Sequence, residues 1–79
     1  MAIDEARLVQ YLRQKTGIED LDATTALFSD GTVDSVGMID LIAFLETESG
    51  IEIQHDDVTL DNLDNVTRIL AFLARREAG

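Results

Sequence analysis

The chain has 79 residues, 16 acidic side chains against 6 basic ones, a formal charge of −10, and neither cysteine nor proline. That length supplies one small hydrophobic core, and the lack of cysteine excludes disulfides and thiolate metal sites. The acidity sets the surface against nucleic-acid backbones and anionic membranes; it either attracts basic protein partners or serves only to keep a small protein soluble, and for acidity alone solubility is the commoner reason.

Near the N-terminus, Asp4 and Glu5 stand where a secretion signal would have a basic start and an apolar stretch. The longest apolar run, Leu41 to Leu45, is too short to span a bilayer. A soluble, cytoplasmic, monomeric protein is expected.

Asp4 to Lys15 reads as a first helix, with Leu8, Val9, Tyr11 and Leu12 forming its apolar stripe and Gly17 its stop. Ile3 is placed to pack beneath its start. Between Gly17 and Asp34 the periodicity breaks: Thr24, Thr25, Ser29, Asp30, Gly31 and Thr32 are loop-forming. A loop of this length is unusual in a compact domain unless something pins it, and Ile18, Leu21, Leu27, Phe28 and Val33 are the pins expected here.

A second helix runs from Ser35 to Ser49 and stops at Gly50. Ile51-Glu52-Ile53 alternates like a strand but has no partner strand, so it is read as an extended connector. A short helical turn is expected over Asp56 to Leu60. Asp64 or Asn65 then caps a last helix, Val66 to about Arg76, whose buried face is Val66, Ile69, Leu70 and Leu73 and whose polar side carries Arg68, Arg75 and Arg76. The fold expected is all-α: a small four-helix bundle, three main helices and a short one, with a long loop between helices 1 and 2.

The second helix has two apolar faces. Stepped at about 100° per residue, Met38, Leu41, Ile42 and Leu45 share one face and Val36, Ile39 and Ala43 another. Asp40 and Glu46 flank the second cluster, and Phe44 sits apart, over the core edge. A small helical domain has room to bury one of these faces; the other is either covered by the long loop or open to a partner, since an apolar patch rimmed by charge is the anatomy of a docking site.

Ser35 opens this helix, directly after Asp34, and admits three readings. As a cap, its hydroxyl or the Asp34 carboxylate accepts an orphan backbone N–H. As a nucleophile it falls short: Val33-Asp34-Ser35-Val36-Gly37 has Val where the nucleophile elbow needs its first Gly, His55 lies far downstream, and no strand precedes it. As an attachment point, an exposed Ser at a helix start places an anionic phosphodiester beside backbone N–H groups and the positive end of the helix dipole, and it needs no base of its own if another enzyme does the chemistry.

The stretch "DSVGMIDLIAFLETESGIEI" resembles the central helix of acyl carrier proteins, and the likeness extends to the first helix, the loop with Leu27-Phe28 and the ending "NLDNVTRILAFL". The resemblance implies a single carrier-protein domain over residues 1–79 with no catalytic residue of its own. It implies that Ser35 bears a covalent 4′-phosphopantetheine arm derived from coenzyme A and that Asp34 supports the modification, helping the modifying transferase with its Mg²⁺. It further implies that Val36, Gly37, Ile39, Asp40, Ala43 and Glu46 meet partner enzymes: a phosphopantetheinyl transferase, an acyl- or aminoacyl-loading ligase, and acyltransferases or synthases.

The fatty-acid-synthesis type commonly reads Leu-Gly-x-Asp-Ser-Leu-Asp. Here Gly31 lies one step further from the Asp, and Gly37 replaces an acidic residue. "LFSDGTVDSVG" looks closer to stand-alone carriers of D-alanine, other amino acids or specialised acyl groups. Gly37 also weakens the helix start by roughly 1 kcal/mol relative to Ala.

Two weaker constellations do not converge on chemistry. His55-Asp56-Asp57 are adjacent and cannot surround one ion unaided, so a solvated turn is expected and no metal. Glu46 and Glu48, two apart on a helix, do not face each other as a carboxylate pair would. The competing reading from another class is an acidic helical adaptor without a prosthetic group, in which Ser35 is only a cap.

Overall fold

The computed structural model describes residues 3–78. Four helices follow in order: α1 (Glu5–Thr16), α2 (Ser35–Ser49), α3 (Leu60–Leu63) and α4 (Val66–Ala78), with a single 3₁₀ turn, His55–Asp57, ahead of α3. Among the described residues there is no strand, and no helix is long and apolar enough to cross a membrane. The all-α bundle with three main helices and one short one is therefore what the chain adopts.

Helix ends follow side-chain chemistry. Asp4 lies outside α1 as its cap, accepting the Arg7 N–H at 2.8 Å. Gly17 (φ 75°) and Gly50 (φ 72°) end α1 and α2 in the left-handed conformation that glycine adopts without a Cβ penalty, each donating its N–H back into the last turn. Asn65, not Asp64, caps α4: its Oδ1 accepts the Arg68 N–H at 2.8 Å.

The turn expected over Asp56 to Leu60 is instead two pieces. Gln54 N–H donates to Asp57 Oδ2 at 2.9 Å and closes the 3₁₀ turn, while Thr59 caps the four-residue α3. Between α2 and the 3₁₀ turn, Ile51 to Ile53 forms a connector that belongs to no helix or strand, with Ile53 buried and Ile51 half-buried.

One core gathers Ile3, Leu8 and Leu12 from the N-terminal part, Leu41 and Leu45 from α2, Leu63 from α3, and Val66, Ile69, Phe72 and Leu73 from α4. Burial of each Leu or Ile contributes about 1.5–3 kcal/mol. Leu63 and Phe72 join the residues anticipated from periodicity, and Leu70 is half-buried rather than central. The long loop is pinned as expected: Leu21, Leu27 and Val33 are buried, and Ile18 and Phe28 pack against the core.

Its backbone is also stitched to the start of α4. Leu27 N–H donates to the Asp64 carbonyl at 2.7 Å, and Thr67 N–H to the Ala23 carbonyl at 3.1 Å. The Asp64 carboxylate accepts the N–H groups of Phe28 (2.9 Å) and Ser29 (3.0 Å).

Helices α1 and α2 run antiparallel along a seam of three contacts spaced four residues apart on each helix. Arg7 pairs with Glu48, Tyr11 stacks on Phe44 with ring centroids 3.9 Å apart, and Lys15 Nζ lies 2.6 Å from Asp40 Oδ2. The spacing continues on α2 to Val36, but α1 has ended by then.

Candidate functional site

The start of α2 is built by its cap. Asp34 is extended (φ −88°, ψ −176°), and its Oδ1 accepts the Gly37 N–H at 2.8 Å while its carbonyl accepts the Met38 N–H at 2.8 Å. Asp34 is thus the cap and Ser35 the first helical residue, so of the two capping groups the sequence offers, it is the Asp34 carboxylate and not the Ser35 hydroxyl that serves. The Ser35 side chain is exposed and makes no hydrogen bond among the described residues.

Gly37 allows this geometry. A Cβ on Gly37 would stand 2.9 Å from Val33 Cγ1 and 3.4 Å from Asp34 Oδ1. The buried side chain of Val33 occupies the space, so the loop, the cap and the helix start close on one another through the missing side chain. The sequence flagged Gly37 as a lost charge; its contact with Val33 was not legible there.

The second face of α2 is open. Val36 is 67% exposed, Ile39 65%, and Ala43 is exposed as well. The loop does not cover them, so the choice left by periodicity falls to the exposed alternative. The two flanking acids differ. Asp40 is held by Lys15, whose ammonium pKa its hydrogen bond raises. Glu46 turns the other way, its Oε2 accepting the Ile53 N–H at 2.9 Å, and so ties the connector to α2.

Two features escaped the sequence reading. Lys15 borders a groove between the end of α1 and the start of α2 that also holds Asp34, Val36, Gly37 and Asp40. An apolar pocket of about 170 Å³ lies between Phe28, Met38, Val58, Leu60 and Leu63. Its rim includes Leu60, 51% exposed, an apolar side chain in a turn too short to show a face.

The remaining candidates do not assemble. His55 sits exposed in the 3₁₀ turn, with Asp57 engaged by Arg76. No group of three or more His, Cys, Asp or Glu among the described residues is placed to hold a metal ion.

What the helix start can do chemically follows from its donors. The Gly37 N–H is used by Asp34, which leaves the Ser35 and Val36 N–H groups as orphan donors of the first turn. A phosphodiester on Ser35 Oγ would meet those donors and the positive end of the α2 dipole, with no side chain to displace. The residues present fit such a group.

The sequence matches the family described as "Phosphopantetheine attachment site" over residues 6–73. A comparison with curated proteins found no match. A solved structure described as "Crystal structure of FAD-dependent dehydrogenase" contains a chain with a TM-score of 0.78 and 23% identity, covering 85% of this chain and 99% of that one. The matched chain is therefore of similar length, and at this identity the likeness speaks for the fold. With the family match spanning nearly the whole sequence, the chain belongs to the phosphopantetheine attachment family, carriers that bear a covalent 4′-phosphopantetheine group.

Proposed function

We propose that Ser35 is the attachment residue, and that the protein acts as a stand-alone carrier presenting a short acyl or aminoacyl group to enzymes that dock on α2. The observation that carries this reading is the division of labour at the helix start: Asp34 does the capping, and the adjacent Ser35 hydroxyl is exposed and unused. When bound, the arm supplies a thiol on which cargo is held as a thioester. The chain's own residues hold and present it. The Ser35 and Val36 N–H groups face the phosphodiester, the outer oxygen of Asp34 is left for a modifying transferase, and Val36, Ile39 and Ala43, with Gly37 and Asp40 beside them, form the docking face. Glu46 lies at the far end of that face and contributes charge while it holds Ile53.

The size of the apolar pocket supports a small cargo. It measures about 170 Å³ and is open at the surface, room for a small group and not for an extended chain. The core beneath is filled by Leu41, Leu45, Leu63, Ile69 and Leu73, all essentially without exposure. A long acyl chain would have to part these helices; an amino acid or short acyl group would not.

Intact mass spectrometry after incubation with coenzyme A and a promiscuous phosphopantetheinyl transferase tests the attachment. The wild-type chain gains one arm and Ser35→Ala gains none. An equal gain on Ser35→Ala rules the assignment out. Loading of the modified protein with a panel of amino acids and acyl groups of increasing length by adenylating ligases then tests cargo size.

A further inference from the structure

Each of the six Lys and Arg side chains holds another part of the fold. Arg7 pairs with Glu48 and Arg13 donates to the Leu21 carbonyl. Arg68 donates to the Leu60 carbonyl, Arg75 to Asn62 and Arg76 to Asp57. Lys15 differs from these in the place of its partner. Asp40 belongs to the α2 stripe of Val36, Asp40, Phe44 and Glu48 and lies between the two exposed side chains Val36 and Ile39 and the end of α1. Asp40 follows Ile39 directly and lies one helical turn from Val36, whereas the Asp34 carboxylate is engaged in capping α2; a Lys15 ammonium already occupies Asp40 at 2.6 Å. Both side chains of the pair remain partly exposed, 41% and 46%, so the contact is of the weak, solvent-screened kind that another cation displaces readily.

We propose that Lys15 is an internal competitor for the docking acid: an enzyme engaging α2 places its own Lys or Arg on Asp40 and must first displace Lys15, so that Lys15 sets the affinity of this carrier for basic partners. The inference rests on the reading that enzymes dock on α2 beside Ser35. The partner it fits presents an apolar recess for Val36 and Ile39 with a cation at its edge, complementary to a chain of net charge −10. Displacement leaves the rest of the seam in place, because Tyr11–Phe44 and Arg7–Glu48 hold α1 to α2 independently.

The test uses the full apo chain and a phosphopantetheinyl transferase. Titration of ¹⁵N-labelled protein with transferase in the absence of coenzyme A reads Kd, and steady-state modification reads KM and kcat separately. Lys15→Met should tighten Kd and lower KM roughly two- to fivefold at unchanged kcat, and Lys15→Arg should behave as wild type. Asp40→Asn should weaken binding, and on that background Lys15→Met should gain nothing, whereas a gain from net charge alone would persist. Arg75→Met, the same charge change on α4, should gain less than Lys15→Met. Circular dichroism and thermal midpoints confirm that each variant is folded. A wild-type chain that is modified on Ser35 while Lys15→Met binds no tighter overturns the inference and leaves the attachment reading standing, as does a gain that survives Asp40→Asn. A wild-type chain that takes up no arm overturns both.

Discussion

The Asp64 carboxylate accepts the backbone N–H of Phe28 at 2.9 Å across a separation of 36 residues. With its second bond, to Ser29, it ties the middle of the long loop to the junction of α3 and α4. These N–H donors favour the ionised form and hold the Asp64 pKa down from its ordinary 3.8 to about 2. The stability linked to this depression is fully present above pH 3.8 and is lost as the pH falls through about 2.

Asp64→Ala should therefore destabilise the fold by about 1–2 kcal/mol at neutral pH, allowing for solvent screening at a half-buried site. The gap between variant and wild type should narrow as the pH falls from 4 towards 2. Urea unfolding at pH 7 and near pH 2.5 measures both. An equal gap at the two pH values would mean that the Asp64 charge is not what holds the loop.

The cap assignment at α2 makes a paired prediction. Asp34→Ala removes the acceptor of the Gly37 N–H and should cost about 1 kcal/mol. Ser35→Ala removes a hydroxyl with no partner in the fold and should stay within about 0.5 kcal/mol of wild type. Thermal or urea unfolding of the two variants side by side distinguishes them. A larger loss from Ser35→Ala than from Asp34→Ala would restore Ser35 as the cap and remove the division of labour at the helix start.

Helices α1, α2 and α4 were legible in the sequence because each has a period, a capping side chain and, for the first two, a glycine stop. The loop pins were legible too, since apolar residues in a polar stretch need somewhere to go. α3 was not, because four residues carry no period and Thr59 marks its start alone. Phe72 lies at the edge of the α4 stripe, where a helical wheel does not separate buried from exposed. At the site, the wheel identified Val36, Ile39 and Ala43 as a second face but not whether the loop covers it. Nor did it give the partners of Asp40 and Glu46, because a wheel fixes direction and not what stands there. Lys15 on Asp40, Ile53 on Glu46 and Val33 against Gly37 all join segments that only the tertiary fold brings together.

The contact between Gly37 and Val33 reverses the ordinary expectation for a glycine in a helix. Replacing it with Ala should gain up to about 1 kcal/mol in helix propensity. The added Cβ, however, would stand 2.9 Å from a branched, buried side chain, an overpacking contact that costs about 1–3 kcal/mol. Gly37→Ala should therefore destabilise the wild-type chain and stabilise the Val33→Ala variant, where the obstructing methyl is gone. The sign change across this double-mutant cycle, measured by urea unfolding, tests the contact separately from propensity. Gly37→Ala stabilising both backgrounds would show that Val33 yields without cost.

Val36 and Ile39 put fold and function on separate residues. Both side chains are about two-thirds exposed, and neither belongs to the buried core. Val36→Ser and Ile39→Ser should thus each change stability by no more than about 0.5 kcal/mol. If they anchor a partner, each truncation should weaken transferase binding by more than about 1 kcal/mol, or at least fivefold in Kd. Ala43→Ser, further from Ser35 on the same face, should have a smaller effect. Leu60→Ser tests the extent of the surface: a loss comparable to that of Ile39→Ser would carry the docking face from α2 onto α3, and an unchanged Kd would confine it to α2. Thermal unfolding and titration with transferase on the same samples separate the two effects. Weakened binding with an intact fold would identify Val36 and Ile39 as contacts, whereas stability and binding falling together would return them to the core.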